Sequence, residues 1–355
     1  MKRFRIAVYP GDGIGTEVIA QALRVLKAVE KQQREFALDL VEFPWSAAYY
    51  RETGRVVPED FLDVLRPFDA ILLGAVGWPA ELPDHVTLAP LVTLRQRFDQ
   101  YACVRPAKLF AGLNSLLAGK GPKDVDLVVV RENSEGEYVD NGGRIRRGTP
   151  DECAVQTAIH TRRGVERILR FGFELARTRR KHLTMITKSN AQRYAYVLWD
   201  DVLDDIAGEY ADITIDKQHA DAAAMNLVRR PETFDVVVAS NLFGDILTDL
   251  AGTIAGGLGL APSTNTNPER KFPSMFEPVH GSAPDIAGRG IANPIAAVLS
   301  AGMMLDWLGA TNAGQAILAA VERTLAAGHK TADLGGRLTT EEMGNQLISA
   351  VEKPS

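Results

Sequence analysis

Cysteine is nearly absent from this 355-residue chain, which has only Cys103 and Cys153. Two are too few for a disulfide framework, so a reducing cytoplasm is the expected compartment. Cys103, in an apolar context, reads as a packed small hydrophobe. Histidine is also sparse, with six residues, and no Cys/His cluster of the zinc-binding kind is visible. No apolar run approaches the ~20 residues of a membrane span. The opening MKRFRIAVYPGDG is basic, but it runs into a short strand and a glycine turn and does not read as a signal peptide. Net positive charge is missing too. A formal charge of −5 and a pI near 5.8 argue against nucleic acid as a main partner, because phosphate affinity needs a basic surface. The local basic clusters at 144–147 and 177–181 are expected to be solvated faces. There is no internal repeat, low-complexity tract or Pro/Ser linker, so composition draws no domain edges.

What is present suits a layered enzyme-sized fold. At 38.6 kDa and 46% hydrophobic residues, the chain can bury substantial cores and is long enough for two domains. Residues 5–9 and 37–43 read as strands on either side of a helix at 15–30 with apolar 3.6 periodicity. Further short apolar strands are expected at 70–73, 126–130, 183–187, 213–216 and 235–239. Strands alternating with helical segments point to the α/β class.

Charged residues carry the chemistry. Asp245 and Asp249 stand four apart in SNLFGDILTDLAG, so a helix stacks them on one face. Like charges at that spacing destabilise a helix unless a cation lies between them, although alone the pair also fits a solvated face. Asp221, in QHADAAAMNLV, offers a third carboxylate from another element, and three hard oxygen donors suit Mg²⁺ or Mn²⁺ better than zinc. Arg95 and Arg105 flank TLRQRFDQYACVRPAK, and Arg131 follows the apolar run at 126–130 directly. A strand-end arginine before a Gly-containing loop suits an anion, since its fork binds carboxylate bidentately. Singly, each arginine also reads as a surface salt bridge, Tyr138 as a packed loop aromatic and Lys188 as solvent-facing. As a set they can hold a divalent metal, clamp a small dicarboxylate and move a proton.

Glycine invites a dinucleotide-binding reading at the wrong place. Gly11-Asp12-Gly13-Ile14-Gly15 lies between strand and helix, but the fingerprint Gly-x-Gly-x-x-Gly needs glycine where Thr16 stands. The ribose-binding acid about twenty residues further is not clearly placed either. The better candidate is the late run His280, Gly281, Ser282, Ala283, Pro284, Asp285 and Ile286, continuing to Gly288. Small residues there let the backbone approach a ligand, and successive N–H groups can meet a pyrophosphate.

These spacings together resemble the β-decarboxylating 2-hydroxyacid dehydrogenases, which include isopropylmalate, isocitrate and tartrate/D-malate dehydrogenases. The resemblance runs from YPGDGIGTEV to TADLGGRLTT, with VVASNLFGDILTDLAG and FEPVHGSAPDIAGRGIANP its most specific pieces. It implies a two-domain fold with a central mixed sheet flanked by helices, not a standard Rossmann fold. One domain would be discontinuous (1–99 plus 258–355) and bind the cofactor. The other (100–257) would carry metal and substrate residues and the contact of a homodimer with shared active sites. By the same resemblance Arg95, Arg105 and Arg131 bind the malate carboxylates, while Asp221, Asp245 and Asp249 hold Mg²⁺ or Mn²⁺. Lys188, reaching in from a second subunit, takes the hydroxyl proton, and Tyr138 protonates the enol carbon. His280 to Ile286 with Asn293 and Asn190 bind the dinucleotide. A carboxylate at 285 accepts from ribose hydroxyls and repels a 2′-phosphate, and NADP-dependent relatives carry Lys and Tyr where Asp285 and Ile286 stand. The implied cofactor is therefore NAD. Whether K⁺ assists is left open.

The implied reaction is oxidation of a (2R)-malate-type acid, usually followed by loss of the β-carboxylate. The C3 substituent would face Leu88, Leu91 and Val92. Isocitrate enzymes place serine and asparagine where Ala89 and Leu91 stand, which disfavours isocitrate. GWP at 77–79, PDH at 83–85 and RFDQY at 97–101 resemble the tartrate/D-malate branch, which carries Trp-Gly where Ala89-Pro90 sits here. D-malate or tartrate is thus expected, with 3-isopropylmalate or another alkylmalate as the alternative. A non-catalytic subunit of an oligomeric dehydrogenase would lack members of the catalytic set, and none is missing.

Overall fold

The computed structural model describes residues 2–353. The first part of the chain forms β1 (Lys2–Gly11), α1 (Ile14–Gln33), β2 (Phe36–Glu42), α2 (Ala47–Thr53), α3 (Phe61–Leu65), β3 (Ala70–Ala75) and α4 (Asp84–Arg97). The middle forms β4 (Ala102–Lys108), β5 (Asp126–Glu132), β6 (Gly142–Ile145), β7 (Cys153–Gln156), α5 (Arg162–Arg177), β8 (His182–Thr187) and α6 (Ala195–Ala207). Then come β9 (Thr214–His219), α7 (Ala220–Arg229), β10 (Val236–Ala239) and α8 (Asn241–Ile254). The last part forms β11 (Pro262–Thr266), β12 (Ser274–Pro278), α9 (Ile295–Trp307), α10 (Thr311–Ala326) and α11 (Thr340–Glu352). Every strand expected from the apolar runs is present.

Ten strands make one sheet in the order β2-β1-β3-β12-β11-β4-β5-β10-β8-β9. Its flanks are parallel, and the middle, where β11 pairs with β12 and β4 and where β4 pairs with β5, is antiparallel. This is the expected mixed sheet flanked by helices. The separate β6/β7 ribbon is exposed along its whole length. β3 reads AILLGA and is buried throughout, as a central strand covered on both faces must be. α1 buries Ile14, Val18, Ala22, Val25 and Val29, the stripe its 3.6 periodicity announced. α11 opens with a reciprocal Thr339/Glu342 capping box.

The largest hydrophobic cluster draws on both chain ends and on residues such as Leu127, Leu227 and Leu247. A second cluster, around Trp199, Phe173 and Tyr196, is built from the 101–238 stretch alone. The outer bounds of the expected domains, residue 1 and residues 354–355, lie outside the described residues. No helix among the described residues is long and apolar enough to cross a membrane. Cys103 is fully buried, as expected. The basic cluster at 177–181 is not merely a solvated face. Arg179 bridges buried Asp235 (2.7 Å) and Asp126 (2.8 Å), tying the turn before β8 to β5 and β10.

Three strand ends meet at Asp12. Its buried carboxylate accepts from Ser46 Oγ and from the backbone N–H of Ala47 (2.9 Å) and Gly77 (2.8 Å). The glycine turn next to it has a use other than holding phosphate. Ile14 N–H donates to Ser282 O at 2.9 Å, and a Cβ on Gly13, which sits at φ +55°, would lie 2.1 Å from that oxygen. Glycine is required because the late loop rests directly on the turn.

Glu132 closes β5 and is 2% exposed. Burial pushes its carboxyl from 4.5 up to about 7, against the pull of Ser134, which donates to it. An acid whose folded pKa is raised loses stability as pH climbs from its unfolded value to its folded one. The protein is therefore expected to lose on the order of 2 kcal/mol between pH 4.5 and about 7 through this group. Urea unfolding across that range should show a flatter profile for Glu132→Gln; parallel profiles would rule this assignment out.

Candidate active site

Register brings the functional arginines to one face of the sheet. Cys103 is opposite Arg131 and Val104 opposite Val130, while Thr264 is opposite Val104 and Ser263 opposite Glu277. Opposed residues share a face and alternate ones repeat it. Arg105, Ser263 and Glu277 therefore lie along one row, with Arg131 in the next.

α8 covers that face. Asn241, Gly244, Asp245, Thr248 and Asp249 fall at helical spacing along a single stripe. Arg131 donates Nε to Asn241 Oδ1 at 3.0 Å and Nη2 to the same oxygen at 2.6 Å, while Nη1 pairs with Asp245 Oδ1. Arg105 Nη1 donates to Thr248 Oγ1 at 2.6 Å and reaches Asp245 at 3.4 Å, and its Nε donates to Ser263 at 3.3 Å. Tyr138 Oη donates to Asp245 Oδ2 at 2.8 Å, with its ring centroid 5.2 Å from the Arg131 guanidinium. From α4, Arg95 donates to Glu277 Oε1 at 2.7 Å, and Asn265 holds the same oxygen at 2.7 Å.

The electrostatics follow. Burial opposes ionisation of Asp245, but Arg131 and Arg105 outweigh it and keep the carboxyl below its ordinary range. Burial pushes Asp249 up; Arg105 pulls the other way and Asp245 adds to the rise. Burial and Asp245 push Tyr138 up to about 12, so it stays protonated at neutral pH. Burial and neighbouring Arg105 lower Arg131 against the opposing pull of Asp245. The Asp249 carboxylate, one turn from Asp245, accepts no hydrogen bond and forms no ion pair among the described residues. That donor set fits a hard divalent cation.

Lys188, Asp221 and Asn190 stand apart from this group. Lys188 Nζ pairs with Asp221 Oδ1 at 2.6 Å, and the Asp221 side chain is 66% exposed. Asn190, two residues after Lys188, is exposed in the same turn. No three His, Cys, Asp or Glu side chains among the described residues converge as a metal site, so one chain does not assemble all three expected aspartates. The reason is topological: Asp221 follows β9 at the sheet edge, whereas α8 lies over β4 and β5.

α4 carries the apolar residues expected beside the C3 substituent. Leu91 is 5% exposed and belongs to the core with Tyr9, Trp45, Leu94 and Phe98. Three residues from Leu88 and four from Arg95, Leu91 stands on their side of α4 while packing inward. Leu88 is 46% exposed and remains with Val92. Pro90 sits inside α4, which nevertheless runs on to Arg97.

The late loop offers a cradle. Nothing lies within 4 Å of a Cβ built on Gly281, and Asp285 is exposed and free of hydrogen bonds among the described residues, as is the exposed Pro284 side. Ala283 and Ile286 are half-buried against the main core, and Ser282 is anchored to Gly77 O. His280 Nε2 is buried without a partner, and burial lowers that ring's pKa. Asn293 donates to Asp333 at 3.0 Å, and Asp333 also accepts from Thr331. An open backbone, an orphaned ring nitrogen and a free carboxylate fit the adenosine half of a dinucleotide.

The family model for isocitrate/isopropylmalate dehydrogenase matches residues 5–347. The chain belongs to that family. It is 50% identical over 353 residues to the probable tartrate dehydrogenase/decarboxylase TtuC′ of Agrobacterium vitis, covering 99% of this chain and 98% of that one. It is 50% identical over 359 residues to the D-malate dehydrogenase [decarboxylating] of Escherichia coli (strain K12), covering 99% of both chains. Among solved structures, isocitrate dehydrogenase from Methylococcus capsulatus superposes with a TM-score of 0.88 at 35% identity, covering 99% of this chain and 100% of that one.

Sequence reading of this family member missed Asn241, Thr248, Ser263, Glu277 and Asp333. Asn241 and Thr248 had a signal, since they continue the helical stripe through Asp245 and Asp249. Ser263 and Glu277 had none, because sheet register alone brings them to the arginines. Gly244 is the tightest point of the assembly, as a Cβ there would lie 2.6 Å from Arg131 Cγ. Gly244→Ala is expected to destabilise the protein by roughly 1–3 kcal/mol through overpacking. Chemical unfolding measures this, and unchanged stability would show that α8 can shift off Arg131 freely.

Proposed function

We propose that this protein is an NAD-dependent, divalent-metal-dependent dehydrogenase that oxidises and decarboxylates a (2R)-malate-type acid, D-malate or tartrate. The observation that carries the reading is the α8 stripe, where Asp245 and Asp249 lie against Arg105, Arg131 and the protonated Tyr138. The names of relatives about half identical over the whole chain support the substrate class. Arg95, Arg105 and Arg131 bind the two carboxylates, and Leu88 and Val92 wall the C3 side. When bound, a divalent cation at Asp245 and Asp249 would polarise the substrate oxygens, and NAD on the late loop would take up a hydride. Lys188 accepts the C2 hydroxyl proton as the acid is oxidised. Tyr138, its pKa raised to about 12, delivers a proton to the carbon that loses CO₂. Asp285, open on the loop, favours ribose hydroxyls over a 2′-phosphate.

The site is completed by a second copy of the chain. Lys188 and Asp221 travel together as an ion pair, and the partner subunit's Lys188 and Asp221 would enter beside Asp245 and Asp249. Exposed Met225 (57%), Val228 (44%) and Ile246 (58%) on α7 and α8 support a homodimer contact through these helices. The metal and dimer residues then belong to a 100–257 domain and the dinucleotide loop to a domain made of both chain ends, in a cytoplasmic enzyme.

Steady-state assays with NAD or NADP, and with Mn²⁺ present or chelated, test the reading across D-malate, the tartrates, isocitrate and 3-isopropylmalate. NAD-linked turnover of D-malate or tartrate, abolished by chelation, is expected. Faster turnover of 3-isopropylmalate would move the assignment to the alkylmalates, and inactivity on every acid would end it.

Subunit sharing has its own test. Lys188→Ala homodimers should lose at least ~10²-fold in rate, the usual cost of a missing acid–base group, and Arg131→Ala homodimers should lose turnover through lost carboxylate binding. Mixing them after reversible dissociation should restore activity, since a heterodimer holds one site with both residues intact. Heterodimers confirmed by mass but still inactive would confine each site to one subunit.

A further inference from the structure

Arg131 is the most tightly enclosed cation among the described residues, with its side chain 2% exposed. A guanidinium so buried needs partners, and a bidentate carboxylate is a common solution. The structure does something else. Two of the three nitrogens, Nε and Nη2, share the neutral amide oxygen of Asn241, and only Nη1 meets a carboxylate. The other end of the same amide is also used: Asn241 Nδ2 donates to Glu135 O at 2.8 Å, at the start of the loop that carries Tyr138. Gly136 lets the two elements touch, because a Cβ there would lie 3.1 Å from Asn241 Cβ.

We propose that Asn241 is a positioning residue that orients Arg131 for a substrate carboxylate while leaving its charge unspent, and that joins it to the Tyr138 loop. This rests on the reading that Arg131 binds substrate. The physical reason lies in donor arithmetic and charge. A guanidinium has five N–H groups, of which Asn241 and Asp245 engage three; the remaining pair, one on each terminal nitrogen, forms a fork for a carboxylate. A neutral acceptor fixes the plane of that fork without cancelling the positive charge. An aspartate at 241 would fix it equally well and neutralise it, with Asp245 already in contact. Asparagine at the first residue of α8 is therefore matched to the task, since its oxygen faces the arginine and its amide nitrogen faces the loop.

Two variants separate the parts of the claim. Asn241→Ala removes both hydrogen bonds to Arg131, and Asn241→Asp keeps an acceptor there but adds a charge. The first measurement needs no substrate: the NMR signal and solvent exchange of the Arg131 Nε–H. Exchange is expected to accelerate by about 10- to 100-fold in the alanine variant, the range for losing a hydrogen bond to a charged group, and to stay slow in the aspartate variant. The second measurement is the KM–kcat split with the acid that the wild type turns over. Both variants should raise KM about tenfold or more with much smaller changes in kcat, as expected for lost ground-state carboxylate binding. Wild-type Arg131 exchange in Asn241→Ala would overturn the positioning role. A wild-type KM in Asn241→Asp would overturn the claim that neutrality matters. If the alanine variant fails to fold, the aspartate variant, isosteric and facing a cation, still decides through KM and through its protected Nε–H. A wild type inactive on all the acids tested would sink the proposed function instead, leaving the exchange measurement to decide the role of Asn241 on its own.

Discussion

Everything in the cleft hangs on one contact, the stripe of α8 pressed against two arginines that rise from the middle of the sheet. Arg105 and Arg131 are buried cations side by side, an arrangement that would repel and desolvate at a cost of several kcal/mol without compensation. Asp245 bridges them, Thr248 and Asn241 each accept from one of them, and Gly244 gives the helix room to approach. Because Asp245 also holds Tyr138, the same carboxylate adds to the forces that favour charged arginines and a protonated tyrosine.

The antiparallel centre of the sheet makes that contact possible. β4 runs against β5 and β11, so residues from three separate stretches of chain fall into adjacent rows. Arg105, Ser263 and Glu277 become neighbours although more than 150 residues separate the first from the others. Glu277 then anchors Arg95 from α4, and the third arginine of the set is tied to the first two through buried polar links rather than through solvent.

The loop that fits the dinucleotide is built by a different device. The glycine turn after β1 supports Ser282, and Asp12 locks that turn to the ends of neighbouring segments. A pattern close to a familiar fingerprint therefore has a structural use one step removed from the ligand. The missing third glycine at Thr16 was the visible sign of this.

Much of the site was legible in the linear chain because it depends on short-range periodicity. The i,i+4 aspartates, the strand-end arginine and the glycine-rich late loop are local patterns whose geometry is dictated by a single helix, strand or turn. Register and strand order could not be read in advance. They depend on pairings between segments hundreds of residues apart, decided by the total burial of both faces of the sheet. By itself, then, the sequence determined the α/β class, the strands and the charged groups available for chemistry. The tertiary structure decided which of those charges meet, keeping Asp221 with Lys188 at the sheet edge and away from Asp245. The physical reason is strand order, which leaves β9 at the outside of the sheet while α8 covers β4 and β5 near its middle.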